Sequence, residues 1–147
     1  MKIVTTENKK DAKILRKKTA DLDFPKYTKS DLRKLIQAMR LIMKYAEGVG
    51  LSANQIGLDL NFFVAEVSGK FYAIFNPKIE KYSSKTEEIE EGCLSVPRTY
   101  GIVKRPEKVT LGGFDINGKK IKIKAWGLLA RVFQHEVDHL NGKLFID

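Results

Sequence analysis

Leu32, Leu35, Ile36, Met39, Ile42, Met43 and Ala46 recur at intervals of three and four, the repeat of a single helix face. Thr28 or Ser30 can cap the start and Asp31 stands in the first turn, so the spacing predicts an amphipathic helix over residues 30–47, stopped by Gly48 and Gly50. From Asn61 the pattern changes. Asn61 to Val67 and Lys70 to Phe75 read as two strands around Ser68-Gly69, with Asn76-Pro77 closing the second. Lys78 to Tyr82 and Thr86 to Glu91 read as two more short strands, and Val109 to Asp115 with Gly118 to Ala125 as a pair around Ile116-Asn117-Gly118. Near the end, Leu128, Val132, His135 and His139 are spaced by four, three and four, one row along a helix that Asn141-Gly142 ends. Several strands flanked by two or three helices, without regular alternation, predict an α+β fold: antiparallel strands in small sheets packed around a central helix that carries the two histidines.

The 147 residues show no break in composition and no repeat, which predicts one domain over 1–147. A chain of this length buries about 68–70% of its unfolded surface, enough to hold a rigid site. The opening Met1-Lys2-Ile3-Val4-Thr5-Thr6-Glu7 lacks an apolar signal core, and no stretch approaches the roughly 18 apolar residues of a membrane span, so the expectation is a cytoplasmic protein with no membrane partner. A single cysteine excludes an internal disulfide framework and leaves Cys93 as a buried small hydrophobe, a reactive thiol or a metal ligand. The net charge of +9 favours polyanionic company in general. Lys119, Lys120, Lys122 and Lys124, however, alternate with Ile121, Ile123 and Ala125 as a half-buried strand with a solvated lysine face does. No aromatic residues interleave with them as a stacking platform needs, so no specific nucleic-acid site is expected.

His135-Glu136-Val137-Asp138-His139 is an HExxH sequence, which on a helix puts two imidazoles one turn apart on one face, within reach of one ion. Glu136 lies toward the same cleft but is badly placed as a ligand and better suited to carry a proton. These are the only two histidines in the chain. A catalytic site of this kind takes three protein ligands and keeps one position open. The candidate third donor is Cys93, in Glu91-Gly92-Cys93-Leu94-Ser95-Val96-Pro97, where Gly92 allows close backbone approach and Pro97 stiffens the exit. A metal deprotonates a coordinating thiol outright, which gives a physical reason for cysteine rather than serine.

With these residues in view, the chain resembles the peptide deformylases, which carry three motifs in fixed order. GxGLAAxQ corresponds to Gly48-Val49-Gly50-Leu51-Ser52-Ala53-Asn54-Gln55, EGCLS to Glu91 through Ser95, and QHExDHLxG to Gln134 through Gly142. The resemblance implies removal of the N-formyl group from the formyl-methionine of new polypeptides, with release of formate. It implies Cys93, His135 and His139 as ligands of one divalent metal with water in the fourth position, and Glu136 as the proton carrier. Gln55, through its side-chain amide, and Leu94, through its backbone N–H, are implied as donors to the developing oxyanion. Val49, Ile89, Leu128 and Val132 are implied as the methionine pocket, although each taken alone reads more readily as plain core. Val49, Gly50 and Gly92 are placed beside the substrate, and the segment around Tyr100 and Gly101 is implied to pair with its main chain as an added strand. Glu91 is expected to pair with Arg105 behind the site, and Gln134 and Asp138 to support it, Asp138 by accepting from a ligand imidazole. A Cys/His/His set accepts iron, zinc, nickel or cobalt, and the resemblance implies Fe2+ as the ion in cells. The implied partners are N-formyl-methionyl nascent peptides, with room for a transient ribosome contact, and the protein is expected to be a monomer.

Three features depart from the family pattern. Ser52 replaces the first alanine of the pair and adds a hydroxyl that needs a partner. Arg131 stands where relatives usually carry an aliphatic residue near the methionine pocket, and is expected to snorkel outward. The chain stops at Phe145-Ile146-Asp147 without the C-terminal helix that many bacterial relatives use at the ribosome, which implies a short form such as those of some phages or reduced genomes. Two other readings share part of this pattern. A zinc peptidase would need a further ligand downstream, where only eight residues follow His139 and none is His or Cys. A deformylase-like protein that binds peptide or ribosome without turnover would not need every chemical residue intact, as they are here.

Overall fold

In the computed structural model, which describes residues 2–147, the chain runs through three α-helices and seven strands. Helix α1 (Lys9–Arg16) starts at Asn8, whose side chain accepts from the backbone N–H of Lys10 and Asp11. Helix α2 (Lys29–Tyr45) starts at a full capping box: Thr28 Oγ1 accepts from Asp31 N–H, and the Asp31 carboxylate accepts from Thr28 N–H. It ends slightly sooner than its periodicity implies. The residue that turns left-handed there is Glu47, with φ of 59°, rather than either glycine. Gly48 and Gly50 are instead small for packing reasons: a Cβ on Gly48 would meet Leu94 Cδ1 at 2.9 Å, and Gly50 already belongs to a strand.

Strands β1 (Gly50–Ser52), β2 (Phe62–Val67), β3 (Lys70–Tyr82), β6 (Lys108–Phe114) and β7 (Lys120–Trp126) form an antiparallel sheet in the order β1-β2-β3-β6-β7. The expected break at Asn76-Pro77 is absent. Strand β3 continues through it because the register against β6 shifts between Phe75 and Lys78, and a bulge is where proline's missing N–H does no harm. Asn76 takes φ of 48° there, accepts from Leu22 N–H and donates to Leu22 O. Strands β4 (Thr86–Cys93) and β5 (Val96–Pro106) pair only with each other, as a separate two-stranded sheet.

Strand β2 is buried on both sides, and the two faces divide the core. Phe63 and Ala65 join Val109 and Leu111 against Phe133, Val137 and Leu140 of α3 (Gly127–Leu140). Phe62, Val64 and Phe75 meet Met39 and Met43 of α2. A smaller cluster of Val96, Leu144 and Phe145, with Cys93 and Val103 packed on it, holds the turn end of the hairpin. Helix α3 therefore faces the sheet with one side and the hairpin with another.

Candidate metal centre

Row and hairpin meet at three atoms. Cys93 stands at the end of β4, where the pairing slips between Gly92 and Cys93 and turns the thiol toward α3. Its Sγ lies 3.1 Å from His139 Nε2, and that nitrogen lies 3.1 Å from His135 Nε2. All three donor atoms fall within 4.8 Å of one another. Tetrahedral coordination at ordinary Zn–S and Zn–N lengths places such donors about 3.3–3.6 Å apart, so the two spacings at His139 Nε2 need only a few tenths of an ångström of relaxation. A thiol sulfur and two imidazole nitrogens suit a borderline-soft divalent ion.

Glu91 organises the back of the site. Its Oε1 sits 2.9 Å from His135 Nδ1, so the other ring nitrogen is the one turned to the donor trio. Arg105 bonds both of its oxygens, Nε to Oε2 at 2.5 Å and Nη2 to Oε1 at 3.0 Å, the pairing the sequence implied. Burial alone would raise the Glu91 pKa, but the bonds from His135 and Arg105 hold it at about 2. His135 is pulled down by burial, yet the Cys93 sulfur and Glu91 push it up to about 10. His139 is driven down by burial and by its charged neighbour His135. A proton on His135 Nε2 and a metal at that atom exclude each other.

Glu136 is 4% exposed and its Oε1 has no hydrogen-bond partner among the described residues. Burial raises its pKa to about 7, against the lowering pull of His135. It thus titrates in the range where a side chain can both take and return a proton near neutrality. Gln55 is aimed by Ser52, whose N–H and Oγ both donate to Gln55 Oε1, at 3.0 and 3.1 Å. Its Nε2 donates to Ser95 Oγ at 3.1 Å and points to Cys93 Sγ at 3.6 Å. The Ser52 hydroxyl shares its single proton between Gln55 Oε1 and the nearer Asn54 Oδ1, at 2.7 Å, and Asn54 Nδ2 donates to His139 O at 2.6 Å. The Ser52 hydroxyl thus has the partner it was expected to need, whereas the roles of Ser95 and Asn54 escaped the sequence reading, because a buried polar chain of this kind has no periodic signature.

Val49, Gly50, Gln55, Ile89, Gly92, Cys93, Leu94, Leu128, Val132, His135 and Glu136 all border one cleft, joined there by Arg131. His139 lies behind them, buried. Tyr100 and Gly101 stand apart, on β5, paired with Gly92 and Glu91 of β4. The Tyr100 ring covers Gly92 so closely that a Cβ there would stand 2.6 Å from Cε1.

Two expectations are corrected. Arg131 does not snorkel outward: it is 7% exposed and donates to Glu91 Oε2, Val103 O and Glu87 O, because the buried Glu91 carboxylate and two backbone carbonyls together outweigh solvation of its head. Asp138 accepts from Arg105 Nη1 at 2.8 Å rather than from an imidazole, whose partner is Glu91. Gln134 donates to Pro106 O and Ala130 O, joining α3 to β5.

A profile of the family described as Polypeptide deformylase matches residues 1–147. The chain is 46% identical over 116 residues to the peptide deformylase of Treponema pallidum (strain Nichols), covering 79% of this chain and 72% of that protein. It is 42% identical over 139 residues to the chloroplastic/mitochondrial peptide deformylase 1B of Arabidopsis thaliana, covering 91% of this chain and 50% of that one. The crystal structure of peptide deformylase from Thermotoga maritima superposes with a TM-score of 0.90 at 35% identity, over 99% of this chain and 95% of that one.

Proposed function

The chain belongs to the polypeptide deformylase family, metal-dependent hydrolases that remove the N-terminal formyl group of polypeptides, and we propose the following division of that reaction among its residues. Cys93 Sγ and the Nε2 atoms of His135 and His139 hold one divalent metal, Fe2+ in cells. When bound, the metal supplies Lewis acidity, polarising the reacting carbonyl and acidifying water toward a pKa of about 7. The convergence of these three atoms beside the buried, unpartnered carboxylate of Glu136 carries the proposal.

Glu136 accepts a proton from the attacking water and returns it to the amine nitrogen as the formyl carbon–nitrogen bond breaks. Gln55 Nε2, already fixed by Ser52, and the backbone N–H of Leu94 face the oxygen that gains charge. Such a donor is worth about 100- to 1000-fold in rate. Val49, Ile89, Leu128 and Val132 receive the methionine side chain. Val49, Gly50 and Gly92 border its backbone, and the second edge of β5 at Tyr100 and Gly101 is open for an extended peptide.

The substrates proposed are formyl-methionyl nascent polypeptides, met by a monomer in the cytoplasm with at most transient ribosome contact. No helix among the described residues is long and apolar enough to cross a membrane. Formate release from a formyl-methionyl tripeptide tests the proposal. Glu136→Ala abolishes turnover and keeps the metal; full activity in that variant overturns the proton carrier.

A further inference from the structure

The hairpin that delivers Cys93 shares no backbone ladder with the five-stranded sheet, so its placement against α3 depends on side chains. Positions 131, 134 and 138 of α3 form a stripe beside the histidine row. Gln134 reaches Pro106 O at 2.9 Å and Asp138 receives Arg105 Nη1 at 2.8 Å. Arg131 reaches furthest. Its Nη1 donates to Glu91 Oε2 at 2.5 Å and to Val103 O at 3.0 Å, and its Nη2 to Glu87 O at 2.8 Å. One guanidinium thus joins α3, β4 and β5, and grips the same carboxylate that orients His135.

We propose that Arg131 is a positioning residue for the metal centre, clamping Glu91 and the Cys93 hairpin to α3 so that thiolate and imidazole reach the ion together. The proposal rests on the ligand set given above. A planar fork suits the task, because it addresses a carboxylate and two carbonyls from different strands at once, which a single ammonium does not. The Val96, Leu144 and Phe145 cluster, with Cys93 packed on it, secures the hairpin's turn end, whereas Arg131 fastens the arm at Glu87, Glu91 and Val103, which lies between that turn and the hairpin's open base.

Charge and position make opposite predictions. Arg131 is a cation near the site, so removing it by charge alone favours a divalent ion; removing a clamp weakens the ion's hold. The test is cobalt(II) binding by chelator competition, with the thiolate-to-cobalt absorption band read beside kcat and KM. Arg131→Met binds cobalt 10- to 100-fold more weakly, with a diminished sulfur band and lowered kcat, while the far-UV circular dichroism of the metal-free protein is unchanged. Arg131→Lys falls between that variant and the original protein. Cobalt binding as tight as in the original protein or tighter, with a full sulfur band in Arg131→Met, overturns the proposal. Should that variant not fold, the same result in Arg131→Lys overturns it. Cys93→Ala is measured in parallel: unchanged affinity there removes the ligand set itself, a separate failure.

Discussion

Gly50 and Glu136 share one space: a Cβ on the glycine would stand 2.5 Å from the glutamate's Oε2 and 3.0 Å from its Cδ. The carboxylate is buried against Gly50, and the space left to it is the cleft bordered by Gln55, Cys93 and His135, so a side chain at position 50 would push it out of its present place.

Gly50→Ala therefore displaces the proposed proton carrier without touching a proposed metal ligand. The expected result is a fall in kcat of about 100-fold, the lower end of what a misplaced general base costs, with metal content unchanged. Steady-state assay and elemental analysis of the same preparation check it; undiminished kcat contradicts the placement.

Glu136 also leaves a signature in stability. Its folded pKa of about 7 lies above the ordinary 4.5, so the folded metal-free protein prefers the protonated form. Its contribution is most favourable below pH 4.5 and is lost as the pH rises toward 7. Metal-free Glu136→Gln has no carboxyl to ionise there, so its melting temperature gains on the original protein across that window. Parallel thermal melts at pH 4.5 and 7.5 measure the difference, and a constant gap defeats the prediction.

Chelation should lower the melting temperature, with recovery on adding a divalent ion. An ion at 100 times its dissociation constant stabilises the folded state by about 2.7 kcal/mol. Cys93→Ser loses most of this increment because a hydroxyl is not deprotonated as a thiol is. An equal response to chelator in both proteins would argue against sulfur ligation.

Ser52→Ala removes the hydroxyl bonds to Asn54 Oδ1 and Gln55 Oε1 but keeps the backbone N–H that also holds Gln55. A loss of about 1 kcal/mol in stability follows, with only a few-fold fall in kcat. Denaturant unfolding and formate release separate the two quantities; a fall in kcat above 100-fold would mean that the hydroxyl, rather than the N–H, aims the amide.

Much of the site was legible because it lies on regular spacing. The 128/132/135/139 row needs only the helical repeat, and Glu91-Gly92-Cys93 lies beside the thiol it serves. What escaped depends on distance in the chain. Arg131 finds acceptors 28 to 44 residues away, and nothing local distinguishes that from an outward-facing arginine. Strand β5 is largely exposed and contains Pro97 and Gly101, so no alternation announces it; pairing with β4 makes it a strand. Helix α1 buries Leu15 as its one buried residue, too little for a periodic signal in eight residues. At Asn76-Pro77 the local rule for proline was outvoted by the ladder on either side and by the Asn76 bonds to Leu22.

Cys93 and His139 are 46 positions apart, on a hairpin and a helix that share no ladder. An ion held by both closes that stretch into a ring, much as a reversible crosslink would, and a coil must surrender considerable freedom to close it. Any excursion that swings the hairpin off the helix opens the ring and frees the ion in the same event. Loss of the ion and exposure of the hairpin to proteolysis thereby become linked events.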